Sequence, residues 1–305
     1  PTSNDLPIIV ESINGAPRLF HLHNFISETE AEELIENALS IKDPTNGLHR
    51  STTGQKHEAQ VDNRRTSDNA WDMRSETAMK LKKRIFQLLG IQPFENRWAD
   101  GIQVLRYQNL QAYNSHYDYL DHSELRLDTK REGGANRFAT VLLYLSDVEE
   151  GGETVFPKAY HPALPSSERL SITEAIEKTR QTGLMENVTE NSWEEKLIGE
   201  CRSKLSVKPK KAFAALFYNQ MPHGGQDDDS LHGGCPVLKG TKWAANLWVW
   251  NGAVHPESED GFLDTEWDPE EPIQAEFYTT VEGYSLWWNE HGFGPMELDR
   301  PIGMN

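Results

Sequence analysis

Lys242-Trp243-Ala244-Ala245-Asn246-Leu247-Trp248-Val249-Trp250 carries one charge, at its head, followed by eight residues that are apolar except for Asn246. Side chains of an extended strand alternate between faces. A regular strand would therefore point Lys242, Ala244, Asn246, Trp248 and Trp250 one way, and Trp243, Ala245, Leu247 and Val249 the other. Working outward from this run, comparable apolar stretches recur at Val104 to Tyr107, Phe138 to Leu145 and Ala212 to Tyr218, set apart by Gly, Pro and Asp clusters. Strand-length runs without helical patterns alternating between them predict a mainly β chain with supporting helices, a jelly roll rather than a doubly wound α/β sheet.

Ahead of these runs, Pro17 to Phe25 reads as a strand. Ser27, followed by Glu28, Glu30, Glu32 and Glu33, reads as the cap and dipole-matched first turn of a helix reaching about Leu39. A loop-rich stretch is expected from His49 to Ala70, then a helix from Ser75 to Leu89 with Ala78, Leu81, Ile85, Leu88 and Leu89 on one face, stopped by Gly90 and Pro93. The organisation expected is a support region over 1–100, a jelly-roll core over 101–252 and an extension over 253–305. The core is interrupted at 158–206 by a polar insertion with a helix at Ile172 to Gln181, longer than barrel loops require and so suited to a lid or an elaboration.

The 305 residues suffice for a sizeable core. With 30 basic and 48 acidic residues the net charge is −18, which argues against a nucleic-acid backbone as partner. Thirteen acidic residues against Arg300 alone fall in 256–305, so −12 of the −18 sits there. That segment also holds Trp267, Phe277, Tyr278, Tyr284, Trp287, Trp288 and Phe293, too many aromatics for a purely solvated tail, and is expected to pack on the core. No run approaches the roughly 18 apolar residues of a membrane helix, so a soluble chain without a membrane span is expected. From Pro1 onward there is no charged-then-apolar leader, which leaves a removed signal segment and none at all equally open. Cys201 and Cys235 are too few for a zinc framework; on count alone they are a bridge or two buried thiols.

Two chemical features stand out. His116 and Asp118, two apart in an extended segment, project together, and His232 lies downstream in Ser230-Leu231-His232-Gly233-Gly234-Cys235-Pro236. Two imidazoles and one carboxylate on one face of an iron leave three positions open, an arrangement suited to non-haem Fe(II) oxygenases. Lys242 follows His232 by ten residues, either as a solvated strand-end charge or as a cation turned inward.

The segments around these residues resemble the 2-oxoglutarate-dependent prolyl 4-hydroxylases, especially the plant and algal type. The resemblance rests on Val104-Leu105-Arg106-Tyr107, Gln111 to Tyr119, Arg137-Phe138-Ala139-Thr140, Tyr144-Leu145, Glu149 to Pro157 and His232 to Trp248, in the family's order across about residues 17 to 250. It implies a double-stranded β-helix core and iron ligation by His116, Asp118 and His232. It implies 2-oxoglutarate bound by Lys242 with hydroxyls from Tyr107 and Thr154, O2 as the other cosubstrate and ascorbate as reductant. Tyr113, Arg137 and Trp248 would face a proline-containing peptide, with Arg65 and Ser67 on a loop that closes over it. Cys201 and Cys235 are implied to pair. There is one departure: relatives of this type tend to carry a histidine two places after the equivalent of Trp248, and this chain has Trp250, which bears on substrate identity more than on reaction type.

The expected function is therefore hydroxylation of peptidyl proline with release of succinate and CO2. The alternatives are hydroxylation of another residue or a small molecule, or a jelly roll that binds without turnover. Retention of all three ligands and the lysine favours the enzyme. The Asn187-Val188-Thr189 sequon and the implied bridge fit the endoplasmic reticulum or secretory pathway, with the cytoplasm as alternative; the oligomeric state is not legible.

Overall fold

The apolar runs fold as strands, and the computed structural model describes residues 6–52, 63–91, 94–120, 136–222, 225–252 and 275–278. In chain order the strands are β1 (Ile8–Gly15), β2 (Arg18–His23), β3 (His49–Arg50), β4 (Asp68–Asp72), β5 (Ile102–Tyr107), β6 (Tyr113–His116), β7 (Arg137–Tyr144) and β8 (Glu150–Gly151). They continue with β9 (Thr154–Phe156), β10 (Leu205–Val207), β11 (Phe213–Tyr218), β12 (His232–Gly234), β13 (Val237–Lys239), β14 (Lys242–Trp250) and β15 (Ala275–Tyr278). Four α-helices are described: α1 (Glu28–Ser40), α2 (Glu76–Leu88), α3 (Ile172–Gln181) and α4 (Trp193–Ser203).

Among the described residues nine strands form a large sheet in the order β15-β1-β2-β11-β7-β14-β5-β4-β3, and four form a small one, β10-β9-β12-β6. All the pairings within the two sheets are antiparallel except β1 with β15, which is parallel. The two sheets face each other as a jelly roll. Leu142, Tyr144, Ala215, Phe217 and Ala244 of the large sheet share one core with Phe156, Leu205 and Val207 of the small one. On the far side of the large sheet, Val141, Leu143, Ala245, Leu247 and Val249 pack with Leu34 of α1 and Leu81 and Ile85 of α2. β14 alternates as its sequence demands up to Val249, but the register with β7 slips between Val249 and Trp250, so a regular strand over its whole length is not what forms.

Both supporting helices begin where their caps predict. Ser27 accepts from the Glu30 amide while Glu30 accepts from the Ser27 amide, and Ser75 accepts from the Ala78 amide. Ala78, Leu81 and Ile85 are fully buried, each Leu or Ile contributing about 1.5 to 3 kcal/mol, whereas Leu88 and Leu89 are only partly covered. Glu30 also binds Arg84 at 2.7 Å, joining α1 to α2.

The structure adds elements where loops or nothing were expected. β1 is the first described strand, β3 and most of β4 lie within the stretch expected as loop, and the large sheet thus takes strands from both sides of residue 101. In the insertion, α3 spans its expected residues, and α4 follows it. Gly199 of α4 lies so close to α3 that a Cβ there would come within 2.6 Å of Ile172 Cγ2. Cys201 of α4 is bonded to Cys235, with Cα atoms 6.3 Å apart, and β10 ends the insertion inside the small sheet. Of the expected aromatic tail, Phe277 and Tyr278 belong to β15; Trp267, Tyr284, Trp287, Trp288 and Phe293, like Pro93, lie outside the described residues.

Candidate active site

His116 ends β6, His232 starts β12, and these two residues pair across the small sheet. Asp118 follows two residues after His116. Asp118 Oδ1 lies 3.7 Å from His116 Nε2, and its Oδ2 lies 3.6 Å from His232 Nε2. On the other side of each ring, Nδ1 is 2.9 Å from a backbone carbonyl, Asn114 O for His116 and Ser230 O for His232. A carbonyl can only accept, so each Nδ1 donates, and in the neutral ring the Nε2 lone pair faces the carboxylate. Burial and neighbouring His232 hold the His116 imidazole down to about 3. Burial alone would raise the Asp118 carboxyl, but His232, His116 and Arg137 bring it to about 2. A neutral imidazole and an ionised carboxylate are the forms that bind a cation, so the donor set fits Fe(II).

A pocket leads from this triad into the barrel, and the lining includes His116, His232, Tyr107, Thr154, Asn246 and Lys242. Lys242 is the head of β14, paired in register with Tyr107 of β5, and is 3% exposed. Its Nζ lies 5.3 Å from the Tyr107 ring centre and 5.5 Å from that of Tyr144. The cation is thus turned inward rather than solvated. Burial lowers its pKa to about 8, with Glu153 opposing. Arg202 of α4 holds Glu153 at 3.0 Å, so the insertion neutralises the acid next to Thr154. Gly151 takes φ of +78° in the turn before these residues, where a side chain would strike Pro236 O at 2.2 Å.

Of the residues expected to face a substrate, Tyr113 lines the pocket beside His116. Tyr113 stacks on His116, ring centres 3.7 Å apart, and Arg65 lies 4.7 Å above Tyr113 while donating to Gln103 Oε1 at 3.0 Å. Arg137 lies 3.7 Å over Trp248. Ser67 is fully buried, with its hydroxyl 2.9 Å from Ser51 Oγ and hydrogen-bonded to Tyr107 of the pocket. Residues 53–62 of that loop lie outside the described residues.

Four further residues take part in the site. Thr140 donates to Asp118 Oδ2 at 2.8 Å and itself accepts from Asn219 Nδ2 at 2.8 Å. Asp100 accepts from Arg137 Nε at 3.2 Å and from Trp250 Nε1 at 3.1 Å, so the tryptophan that departs from the family pattern helps hold the arginine's counter-ion. Asn246 lines the pocket. Thr140 and Asn246 left a signal, each a polar residue on the inward face of an apolar strand, Thr140 beside Leu142 and Tyr144 and Asn246 beside Ala244.

Residues 102–250 match the 2OG-Fe(II) oxygenase superfamily, and by class the protein is a 2-oxoglutarate-dependent dioxygenase. It is 38% identical over 242 residues to prolyl 4-hydroxylase 5 of Arabidopsis thaliana, covering 78% of this chain and 70% of that one. Over 246 residues it is 37% identical to probable prolyl 4-hydroxylase 10 of the same plant, covering 79% and 71%. The chain belongs to the prolyl 4-hydroxylase family, and membership implies Fe(II), 2-oxoglutarate and O2. The solved structure of a viral collagen prolyl hydroxylase from Paramecium Bursaria Chlorella virus-1, in its 2OG complex, aligns at 22% identity with a TM-score of 0.46, covering 76% of this chain and 95% of that one.

Proposed function

We propose that the protein hydroxylates proline in peptides, consuming 2-oxoglutarate and O2 and releasing succinate and CO2, with ascorbate as reductant. The observation that carries this reading is the pocket that runs from His116 and His232, two of the three clustered donors with Asp118, to the buried ammonium of Lys242. Fe(II) with 2-oxoglutarate supplies, when bound, the activation of O2 that oxidises an otherwise inert C–H bond. The chain's own residues hold and orient. His116, Asp118 and His232 would bind the metal on one face, with Thr140 fixing one carboxylate oxygen. Lys242 would pair with the distal carboxylate of the keto acid, Tyr107 and Thr154 would donate hydroxyl hydrogen bonds to it, and the surrounding Leu105, Leu142 and Phe217 would exclude water. Tyr113, Arg65, Arg137 and Trp248 would receive the peptide, arginine donating to its carbonyls and the aromatic faces meeting the proline ring.

The test is mass spectrometry of proline-rich peptides incubated with protein, Fe(II), ascorbate and 2-oxoglutarate. Hydroxyproline formed in proportion to succinate is the expected result; succinate without a hydroxylated peptide would overturn the assignment of substrate. No described helix is long and apolar enough to cross a membrane. We further place the protein in the endoplasmic reticulum or secretory pathway. The Cys201 to Cys235 bridge, and the exposed Asn187 of the sequon, support that compartment.

A further inference from the structure

Glu11 of β1 and His21 of β2 stand opposite each other in the large sheet, and His23 follows His21 on the same face. All three are buried, at 4%, 6% and 6% exposure. One donor atom from each lies within 4.8 Å of the other two. His23 Nε2 is 2.8 Å from Glu11 Oε2, His21 Nδ1 is 4.0 Å from the same oxygen, and the two imidazole ring centres are 4.1 Å apart. Nε2 of His21 is buried without a hydrogen-bond partner. No hydrogen bond at Nε2 therefore fixes this ring, whose Nδ1 is the atom that faces Glu11.

We propose that Glu11, His21 and His23 form a second divalent-cation site, of zinc type, that clamps β1 to β2 on strands that carry none of the active-site ligands. Two imidazole nitrogens and one carboxylate oxygen are a donor set zinc takes in tetrahedral geometry, the fourth place going to water. Ligand atoms of a tetrahedral zinc stand about 3.3 Å apart, so the hydrogen-bonded 2.8 Å contact of His23 with Glu11 has to open by about 0.5 Å and His21 to close by about 0.7 Å. Phe213, its ring 4.6 Å from that of His21, supplies an apolar wall. Lys210 is the opposing charge on this side; it is exposed and can swing into solvent. Burial holds both imidazoles below their ordinary pKa, so both rings are neutral at neutral pH, and the hydrogen that His23 Nε2 gives to Glu11 would pass to Nδ1 when Nε2 takes the ion. The site would be structural, because the three ligands join the first two strands of the sheet and no pocket residue is among them.

The experiment is a Zn(II) titration of the full chain and of a variant carrying His116→Ala and Asp118→Ala, followed by metal analysis after gel filtration. Two equivalents in the parent and one in the double variant are expected. Adding Glu11→Gln, or His21→Phe, to the double variant should abolish the remaining equivalent, while melts without metal show that these chains fold. His21→Phe keeps a ring against Phe213 and carries the test should Glu11→Gln not fold. At a hundredfold excess over Kd, zinc should raise the melting temperature of the double variant by about 5 °C. Co(II) in the double variant should give visible d–d bands, a readout that needs no further substitution. A double variant that takes up neither Zn(II) nor Co(II), or zinc uptake unchanged by Glu11→Gln and His21→Phe, would overturn the site.

Discussion

Lys242 is a base whose charge must be kept inside a barrel, and its pH response follows from that. Its folded pKa of about 8 lies below the ordinary 10.5 because burial disfavours the ammonium. Between these values the unfolded chain binds more protons, so this group's contribution to stability rises with pH across that window. Binding of 2-oxoglutarate has the opposite slope, since the ammonium is the form that pairs with a carboxylate. Affinity for 2-oxoglutarate should hold steady to about pH 8 and fall toward pH 10; calorimetric titrations that stay flat to pH 10 would contradict the pairing. Lys242→Ala leaves the distal carboxylate buried and unpaired, a loss on the order of 3 to 5 kcal/mol. That corresponds to roughly a hundred- to a few-thousand-fold in affinity. Lys242→Arg should be milder, because the guanidinium needs more room but keeps the charge. Thr140→Val should weaken Fe(II) binding by about 10- to 100-fold with little change in the Michaelis constant for the peptide, checked by Fe(II) titration of activity. The two-residue spacing made His116 and Asp118 legible, and the ten residues after His232 singled out Lys242. Asn219 and Asp100 were not legible, because each acts through a neighbour brought near only by folding.

Among elements, the helix pair of the insertion was half visible. Ser171 and Glu174 form a capping box that announces α3 in the sequence. In α4, Trp193-Glu194-Glu195-Lys196-Leu197-Ile198-Gly199-Glu200-Cys201-Arg202-Ser203, a glycine required by close packing interrupts the apolar pattern. β1 escaped notice because buried Glu11 breaks its apolar run, and β3 and β4 because they are short and mostly polar. The bridge from α4 to the segment after His232 closes a loop of 34 residues. Replacing both cysteines with serine should cost about 3 to 4 kcal/mol in the chain-entropy model, measured by denaturant melts of oxidised protein. It should also raise the Michaelis constant for 2-oxoglutarate, because Arg202, beside Cys201, would hold Glu153 less firmly. A double variant of unchanged stability would mean that helix packing alone secures the insertion.

For the whole molecule, the pairing of β1 with β15 closes the large sheet between the two ends of the described chain. Cutting the chain after residue 252 would expose the hydrogen-bonding edge of β1 and remove much of the acidic charge that keeps copies apart. The shortened protein should melt at a lower temperature and self-associate, which light scattering would detect; a monomer of unchanged melting temperature would show that β15 adds nothing to the sheet. The jelly roll was legible because its central strands are apolar runs, whereas this closure joins segments too distant for any local pattern to announce. The same closure has a consequence on the ribosome. Ile8 must wait for Ala275 before its outer edge is covered, and at roughly 5 to 20 residues per second that is roughly 15 to 50 s of synthesis. During that interval the nascent chain displays an open strand beside an apolar face, so this protein should engage chaperones early and be released from them only once Ala275–Tyr278 has been made.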